Sequence, residues 1–190
     1  MQENSKKIVF LDRDGTISAD SGYTAKPCDM HILPKSGKGI ALLKQAGFTV
    51  VVVTNQSAIG RGFASVEDVM ATNRECQLQL EAEDNNAFVD QVLFCPHKPE
   101  DNCHCRKPKT GMIDFLNPPY NFDVKSCWMV GDKISDLDFG SNLGIPHSNC
   151  ILVKTGEGEK ELLKVKNNSF PVIEDLYLAC KHIVSNEGEN

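Results

Sequence analysis

The sequence has no surplus of positive charge. Its 190 residues include 20 Lys and Arg against 26 Asp and Glu, which gives a formal net charge of −6 at pH 7. Proteins that bind nucleic acid along the phosphate backbone need a net basic face that releases counterions. The acidic balance therefore argues against broad nucleic-acid binding, and it leaves room for a local basic pocket.

A long apolar run is also missing. No stretch has the length and composition of a signal peptide or a membrane span, and residues 1–7 lead directly into a strand-like run. We therefore expect a soluble, cytoplasmic protein that does not interact with membranes.

Internal repeats, low-complexity blocks and Gly/Ser-rich or Pro-rich linkers are absent as well. A chain of 190 residues with 41% hydrophobic composition is long enough to close one sizeable core. We predict a single domain over residues 1–190, with residues 185–190 as a frayed, disordered tail.

Apolar runs typical of buried strands recur along the chain. They are Ile8 to Leu11, Phe48 to Val53, Gln91 to Phe94, Cys127 to Val130 and Cys150 to Val153. Helical periodicity is found between these runs and after the last one, around residues 40–46, 65–83, 135–143 and 174–184. The two prolines within residues 117–120 should stop any helix that begins near residue 111. Ser65, followed by Asp68, should cap the longest helix. This alternation predicts an α/β domain with a mostly parallel sheet.

The first run ends in two carboxylates one residue apart, Asp12 and Asp14, and Gly15 permits the sharp turn that follows. Strand side chains alternate in direction, so the two carboxylates share a face if the extended geometry continues. Such a pair suits a hard cation such as Mg²⁺ together with a phosphoryl group, and it could provide a carboxylate nucleophile. The alternative is an acidic turn that caps the next element.

Polar side chains follow two further runs, and in open α/β sheets ligands bind at the carboxyl ends of the strands. Four residues that could donate hydrogen bonds to a phosphoryl group follow the second run, Thr54, Asn55, Gln56 and Ser57, although an ordinary polar turn would look similar. Asp132 follows the fourth run and is placed to be a metal ligand. Asp136 begins the next helix, where an acid also stabilises the helix N-terminus.

Three cysteines and a histidine fall within eleven positions, at Cys95, His97, Cys103 and Cys105. Three thiolates and an imidazole suit a closed tetrahedral Zn²⁺ site, and the short spacings let each pair chelate one ion. We therefore predict a zinc loop over residues 95–105, with unliganded thiols as the alternative. His104 is the weaker candidate ligand because it lies between two cysteines that complete the set.

Basic residues follow the zinc loop directly, in the segment Arg106-Lys107-Pro108-Lys109. A site with several carboxylates and a phosphate dianion needs a fixed cation. This favours a functional role for Lys107, whereas Lys109 is expected in a solvated turn.

Taken in order, these motifs resemble the haloacid dehalogenase (HAD) superfamily of aspartyl-nucleophile phosphatases. The similar parts are a strand with DxDGT, a strand with TNQS, a downstream lysine and a strand with GDKxxD, and they cover about Ile8 to Val153. The resemblance implies a Rossmann-like three-layer α/β/α fold that is essentially capless, with a zinc-binding loop and a monomeric state.

The resemblance also implies a role for each matching residue. Asp12 would be the nucleophile and Asp14 the general acid and base, while Thr54 and Lys107 stabilise the transferring oxygens. Asp12, Asp132 and the backbone carbonyl of Asp14 would hold Mg²⁺. Substrate contacts are implied for Arg13, Asp20, Ser21, Gly22, Tyr23, Asn55, Gln56, Ser57, Arg106 and Lys133.

Within the superfamily, the segments Ser57 to Gly62, Gly22-Tyr23 and Gly131 to Lys133 are similar to those of heptose bisphosphate phosphatases. The five-residue spacer inside the zinc loop is instead typical of histidinol-phosphate phosphatases. We expect an Mg²⁺-dependent enzyme that removes the C7 phosphate of heptose 1,7-bisphosphate, on the route to nucleotide-activated heptose, for either lipopolysaccharide or surface-glycoprotein synthesis. Histidinol phosphate is the alternative substrate, and a non-catalytic, zinc-stabilised phosphosugar-binding module is the alternative of another class.

Overall fold

A computed structural model describes residues 6–20, 22, 24, 26–117, 121–164 and 170–187. In chain order its strands and helices are β1 Ile8–Leu11, α1 Ser36–Gln45, β2 Thr49–Asn55, α2 Ser57–Gly60, α3 Val66–Glu83, β3 Gln91–Cys95, β4 Trp128–Gly131, α4 Ile134–Leu143, β5 Cys150–Val153, α5 Gly158–Leu162, β6 Val172–Ile173 and α6 Leu176–Glu187. None of these helices is both long enough and apolar enough to cross a membrane.

The strands form one sheet in the order β3-β2-β1-β4-β5-β6, and every neighbouring pair is parallel. Leu11 of β1 is in register with Val52 of β2 and Val130 of β4, so β1 and β4 end at about the same level and β2 extends further, to Asn55. The predicted Rossmann-like α/β fold with a parallel sheet is confirmed.

Alternate residues of the strands enter two different cores. Val9 and Leu11 of β1 belong to a cluster with side chains of α1, α3 and α6. Ile8 and Phe10 belong to a second cluster, with side chains of α4 and of the segment that contains Cys95 and Cys105. Because both faces of the sheet are covered, the strands are continuous apolar runs rather than alternating ones.

Helix α3 has 18 residues and is the longest helix in the described part of the chain. The Asp68 amide donates to Ser65 Oγ (3.1 Å), and the Ser65 amide donates to Asp68 Oδ2 (2.8 Å). This reciprocal pair satisfies two backbone donors at the helix start, so the predicted N-cap at Ser65 is confirmed.

The C-terminal helix extends further than predicted. Helix α6 continues to Glu187, whereas the sequence predicts a disordered tail from residue 185. Asn186 Nδ2 donates to the backbone carbonyl of His182 (2.7 Å), which helps to satisfy the last turn. Residues 188–190, like the predicted helix stop at Pro118-Pro119, lie outside the described residues.

Candidate active site

The residues that follow the strands of the parallel sheet meet at one edge and line a pocket of about 260 Å³. Asp12 follows β1, Thr54 and Asn55 end β2, and the loop after β4 leads into α4. The lining residues are Asp12, Asp14, Asp20, Gly22, Thr54, Asn55, Ser57, Arg106, Lys107, Lys133, Ser135 and Asp136. The sequence predicts ten of these as site residues and places Asp136 at the start of the next helix, and Ser135 is an addition.

Lys107 lies at the centre of the pocket's charges. Its Nζ donates to Asp12 Oδ1 (2.6 Å) and to the Val53 carbonyl (2.6 Å), and it lies 2.7 Å from Asp136 Oδ1. The three donors of the ammonium group are therefore all used. Burial lowers the pKa of Lys107, but the charges of Asp12 and Asp136 more than offset this and raise it.

The side chain of Asn55 holds the backbone of Lys107 in place. Asn55 Nδ2 donates to the Lys107 carbonyl (3.2 Å), and the Lys107 amide donates to Asn55 Oδ1 (3.1 Å). The lysine therefore reaches Asp12 from a loop that is fixed to the end of β2.

Carboxylate oxygens of Asp12, Asp132 and Asp136 all lie within 4.8 Å of one another. Burial raises the pKa of Asp12 to about 8, with Lys107 opposing this rise and the neighbouring carboxylates adding to it. Burial also raises the pKa of Asp132 to about 6, and the charge of Asp136 adds to the effect. A divalent cation among these oxygens would favour their ionised forms and reverse both shifts.

Asp132 has the geometry of a metal ligand. Its Oδ2 accepts from the Glu157 amide (2.8 Å). Its Oδ1 is buried and has no hydrogen-bond partner among the described residues, which is unusual for a carboxylate oxygen unless an ion binds there. A Cβ at Gly15 or Gly156 would lie 2.2 Å from Oδ2, so glycines enclose this carboxylate.

Asp136 stabilises the start of α4, as the sequence predicts, and it also contacts Lys107. Its Oδ2 accepts from the Lys133 amide (3.0 Å) at the start of α4, and its Oδ1 contacts Lys107. It therefore caps the helix and contributes to the charge cluster at the same time.

Two predicted substrate contacts are not placed in the pocket lining. Arg13 is 1% exposed, and its guanidinium binds Asp14 instead. Gln56 is buried, and its Nε2 donates to Asp14 Oδ2 (2.8 Å) and to Thr54 Oγ1 (2.9 Å). Arg13 continues the alternation of Val9 and Leu11 and so turns towards α3, which explains why it does not face the pocket.

The remaining predicted substrate contacts that the structure describes do line the pocket. Lys133 Nζ donates to Asp20 Oδ2 (3.1 Å), and Arg106 Nη1 donates to the His97 carbonyl (3.1 Å). These contacts hold two cations beside the carboxylates. Ser21 and Tyr23 lie outside the described residues.

Cys95, His97, Cys103 and Cys105 form a compact group after β3. Their sulfur atoms are 3.4–3.6 Å apart, and His97 Nδ1 lies 3.3 Å from Cys105 Sγ and 3.6 Å from Cys95 Sγ. A tetrahedral site with Zn–S bonds of about 2.3 Å has S···S edges of about 3.8 Å. The donor set and its spacing therefore fit Zn²⁺, and exposed His104 is not part of the group, as the sequence predicts.

The loop after β5 belongs to the site but is not predicted from the sequence. Thr155 Oγ1 donates to the Gly15 carbonyl (2.6 Å), and the Glu157 amide donates to Asp132. The position of this loop at the carboxyl end of a predicted strand is the signal that could have identified it.

The comparisons with known proteins agree with this geometry. Residues 104–179 match the HAD-hydrolase-like family. A Pseudomonas aeruginosa protein that covers 90% of this chain and 94% of its own length is 39% identical over 175 residues. The chain belongs to the HAD-like hydrolases, and it is a phosphatase rather than a non-catalytic binding module.

The relatives also have specific names. The P. aeruginosa protein is named D-glycero-beta-D-manno-heptose-1,7-bisphosphate 7-phosphatase. A Photorhabdus laumondii protein, 34% identical over 182 residues (90% of this chain, 97% of that protein), is named for the alpha form of the same substrate. The crystal structure of D,D-heptose 1,7-bisphosphate phosphatase from B. bronchiseptica, complexed with magnesium and phosphate, matches with a TM-score of 0.86 and 34% identity, covering 95% of this chain and 99% of that chain.

Proposed function

We propose that this protein is an Mg²⁺-dependent phosphatase that hydrolyses the C7 phosphate of D-glycero-D-manno-heptose 1,7-bisphosphate. It releases heptose 1-phosphate for the synthesis of nucleotide-activated heptose. The observation that carries the proposal is the contact of 2.6 Å between Lys107 and Asp12 in a pocket that Arg106 and Lys133 also line. Similarity to relatives with this named activity, at 34% and 39% identity, supports it.

The reaction has two displacements at phosphorus. First, a carboxylate oxygen of Asp12 attacks the phosphorus, the bond to the sugar oxygen breaks, and Asp14 gives its proton to that oxygen. Then Asp14 takes a proton from water, the water oxygen attacks phosphorus, and the bond to Asp12 breaks to release phosphate. Thr54 and Lys107 stabilise the charge on the transferring oxygens.

Mg²⁺ is expected to be held by the side chains of Asp12 and Asp132 and by the backbone carbonyl of Asp14. The unpartnered oxygen of Asp132 supports this assignment. Bound Mg²⁺ would neutralise the carboxylates and the phosphoryl oxygens and so allow them to approach each other.

Zn²⁺ is expected at Cys95, His97, Cys103 and Cys105, where its role would be structural. All four positions would be filled by protein ligands, which leaves no open position for substrate. The segment that follows supplies Arg106 and Lys107, so an ordered zinc loop fixes two cations of the pocket.

The second phosphate of the substrate distinguishes the two candidate activities. Lys133 and Arg106 add positive charge to the pocket beyond the Lys107 that pairs with Asp12, as a bisphosphate requires. The five-residue spacer of the zinc loop instead favours histidinol phosphate.

The test is phosphate release, with Mg²⁺, from both anomers of heptose 1,7-bisphosphate and from histidinol phosphate. We expect the bisphosphate to have the higher kcat/KM. A preference for histidinol phosphate would overturn the substrate assignment, and the absence of turnover on all three by a folded, zinc-loaded protein would overturn the enzymatic one.

The pocket is lined by loops at the edge of one sheet, with no separate cap contributing to the described lining. We therefore also propose that the chain acts as a single-domain monomer. Sedimentation velocity at assay concentration tests this, and a stable dimer would contradict it.

A further inference from the structure

We propose that Arg13 is a positioning residue for Asp14. Its guanidinium fixes the carboxylate that transfers the proton, and it does not contact the phosphosugar. This inference rests on the proposed function, because it concerns the proton transfers that were assigned to Asp14.

The carboxylate of Asp14 is surrounded by donors on both oxygens. Arg13 Nε donates to Oδ1 (2.9 Å) and Arg13 Nη2 donates to Oδ2 (2.8 Å), which is a two-point contact. Gln56 Nε2 donates to Oδ2 (2.8 Å), and Ser18 Oγ lies 3.4 Å from Oδ1. A planar guanidinium that binds both oxygens fixes the plane of the carboxylate as well as its position.

Arg13 is itself held from the opposite side. Its Nη1 donates to Asn73 Oδ1 on α3 (2.7 Å), and its Nη2 lies 3.4 Å from the Thr24 carbonyl. The guanidinium thus connects Asp14 to the longest described helix. Arg13 is 1% exposed and is not among the residues that line the pocket. It is therefore shielded both from solvent and from a substrate in the pocket.

A buried guanidinium is unfavourable unless its donors are satisfied. Here the donors are used on Asp14 and on groups that do not enter the reaction. A residue with these contacts influences catalysis through the orientation of Asp14, and proton transfer is sensitive to such orientation because a displacement of about 1 Å can lower a rate about 100-fold.

Esters with different leaving groups distinguish this role from a structural one. A sugar alkoxide is a strong base and needs the proton from Asp14 as the bond to phosphorus breaks. A nitrophenolate is a weak base that leaves without it. A misplaced Asp14 should therefore slow phosphorylation by the sugar phosphate and leave phosphorylation by the nitrophenyl ester nearly unchanged.

The variant to test is Arg13→Lys, which keeps the positive charge and loses the two-point contact. The first-turnover rate of Asp12 phosphorylation is measured with heptose 1,7-bisphosphate and with nitrophenyl phosphate. We expect a decrease of about 100-fold for the sugar ester and of less than about threefold for the aryl ester.

Two further variants complete the design. Asn73→Ala removes the support of Arg13 without touching Asp14, and it should show a smaller loss with the same dependence on leaving group. Arg74→Lys makes the same exchange at the exposed neighbouring position on α3, and it should change neither rate.

An equal loss on both esters, accompanied by a lower melting temperature, would overturn the proposal and assign Arg13 a structural role. If Arg13→Lys does not fold, Asn73→Ala carries the same comparison. If the wild-type protein releases phosphate from neither ester, the proposed function itself is refuted. If the wild type hydrolyses both esters but the variants lose the same factor on each, only the role of Arg13 is refuted.

Discussion

Lys107 is the residue at which the charges of the pocket converge. It is buried between Asp12 and Asp136, and its ammonium group binds both carboxylates and one backbone carbonyl. This ion pair compensates the buried carboxylate of Asp12, which we propose as the nucleophile.

We predict that Lys107→Met lowers both stability and activity. Removing one member of a buried ion cluster leaves its partners uncompensated, which costs roughly 3–5 kcal/mol of unfolding free energy. Loss of the cation that we propose to stabilise the transferring oxygens should lower kcat by at least about 100-fold. Urea unfolding and phosphate release measure the two effects.

Lys109→Met is the control for this experiment. Lys109 is exposed on the same loop and donates to the Asn102 and Cys103 carbonyls. Its replacement should leave kcat within about threefold of the wild-type value. Full activity in Lys107→Met would show that the contact with Asp12 has no catalytic role.

At the scale of single residues, the position of the acidic residues and of Lys107 along the chain predicts that they belong to the site. It does not predict for every residue of these motifs whether the side chain faces the pocket. Asp12 and Asp132 could be predicted because they directly follow strands, where ligands collect in parallel sheets. Arg13 and Gln56 belong to the same motifs but turn away from the pocket. For Arg13, the strand alternation that puts Asp12 and Asp14 on one face already predicts the opposite direction. The direction of Gln56 depends on the path of the backbone after β2, which the sequence pattern does not contain.

Among the elements, the loop between β5 and α5 lies against Asp132, the proposed Mg²⁺ ligand. Gly156 has a φ of +57°, and a Cβ there would lie 2.2 Å from Asp132 Oδ2 and 2.6 Å from Gly15 Cα. The loop thus packs its backbone against the candidate ligand. A side chain at this position must move Asp132 or the turn that follows Asp14.

We therefore predict that Gly156→Ala weakens Mg²⁺ binding. Displacement of a group that orients a ligand typically lowers metal affinity about 10–100-fold. The Mg²⁺ concentration for half-maximal activity should rise accordingly, and so should the concentration for half-maximal thermal stabilisation, which does not depend on turnover.

Gly47→Ala is the matched control, because Gly47 also has a positive φ, +84°, but has nothing within 4 Å of its Cβ position. It should lose about 1 kcal/mol of stability from the left-handed backbone and keep its response to Mg²⁺. If both variants respond to Mg²⁺ as the wild type does, the loop does not support Asp132.

The zinc loop is the second element with a testable role. We predict that Cys103→Ser releases the metal and lowers stability by about 2 kcal/mol, which corresponds to a fall in Tm of roughly 4–8 °C. KM should rise because Arg106 is bound to the His97 carbonyl within the same loop. Metal analysis, calorimetry and steady-state kinetics provide the three readouts.

Cys28→Ser is the corresponding control, since Cys28 is a free and exposed cysteine outside the loop. It should retain wild-type zinc content, Tm and KM. Unchanged Tm and KM in Cys103→Ser would show that the loop does not need the metal.

The elements that could be predicted are those with long or strongly patterned sequences. The five apolar runs form β1 to β5, and the Ser65 cap begins α3. Strand β6 has two residues, and helices α2 and α5 have four and five, so none of them contains a full hydrophobic period. These short elements depend on tertiary contacts that the local sequence does not specify.

For the whole molecule, the parallel sheet is what brings distant residues together. Asp12 and Lys107 are 95 positions apart in the sequence, yet they form an ion pair where β1 and β2 end. The net charge of −6 is spread over the chain, whereas the pocket collects cations beside its acids. An acidic protein can in this way hold fixed cations beside the carboxylates of the site proposed for a phosphorylated substrate.

The central claim of this account is that the phosphoryl group is transferred to a carboxylate of the protein before it reaches water. The most direct test is the stereochemical course of hydrolysis, measured with a substrate that carries a chiral, oxygen-isotope-labelled thiophosphate at C7 and is hydrolysed in water of the third oxygen isotope, so that the released thiophosphate is itself chiral. Each in-line displacement inverts the configuration at phosphorus, so two successive displacements predict overall retention. Overall inversion would show that water attacks the substrate directly and would contradict the role assigned to Asp12.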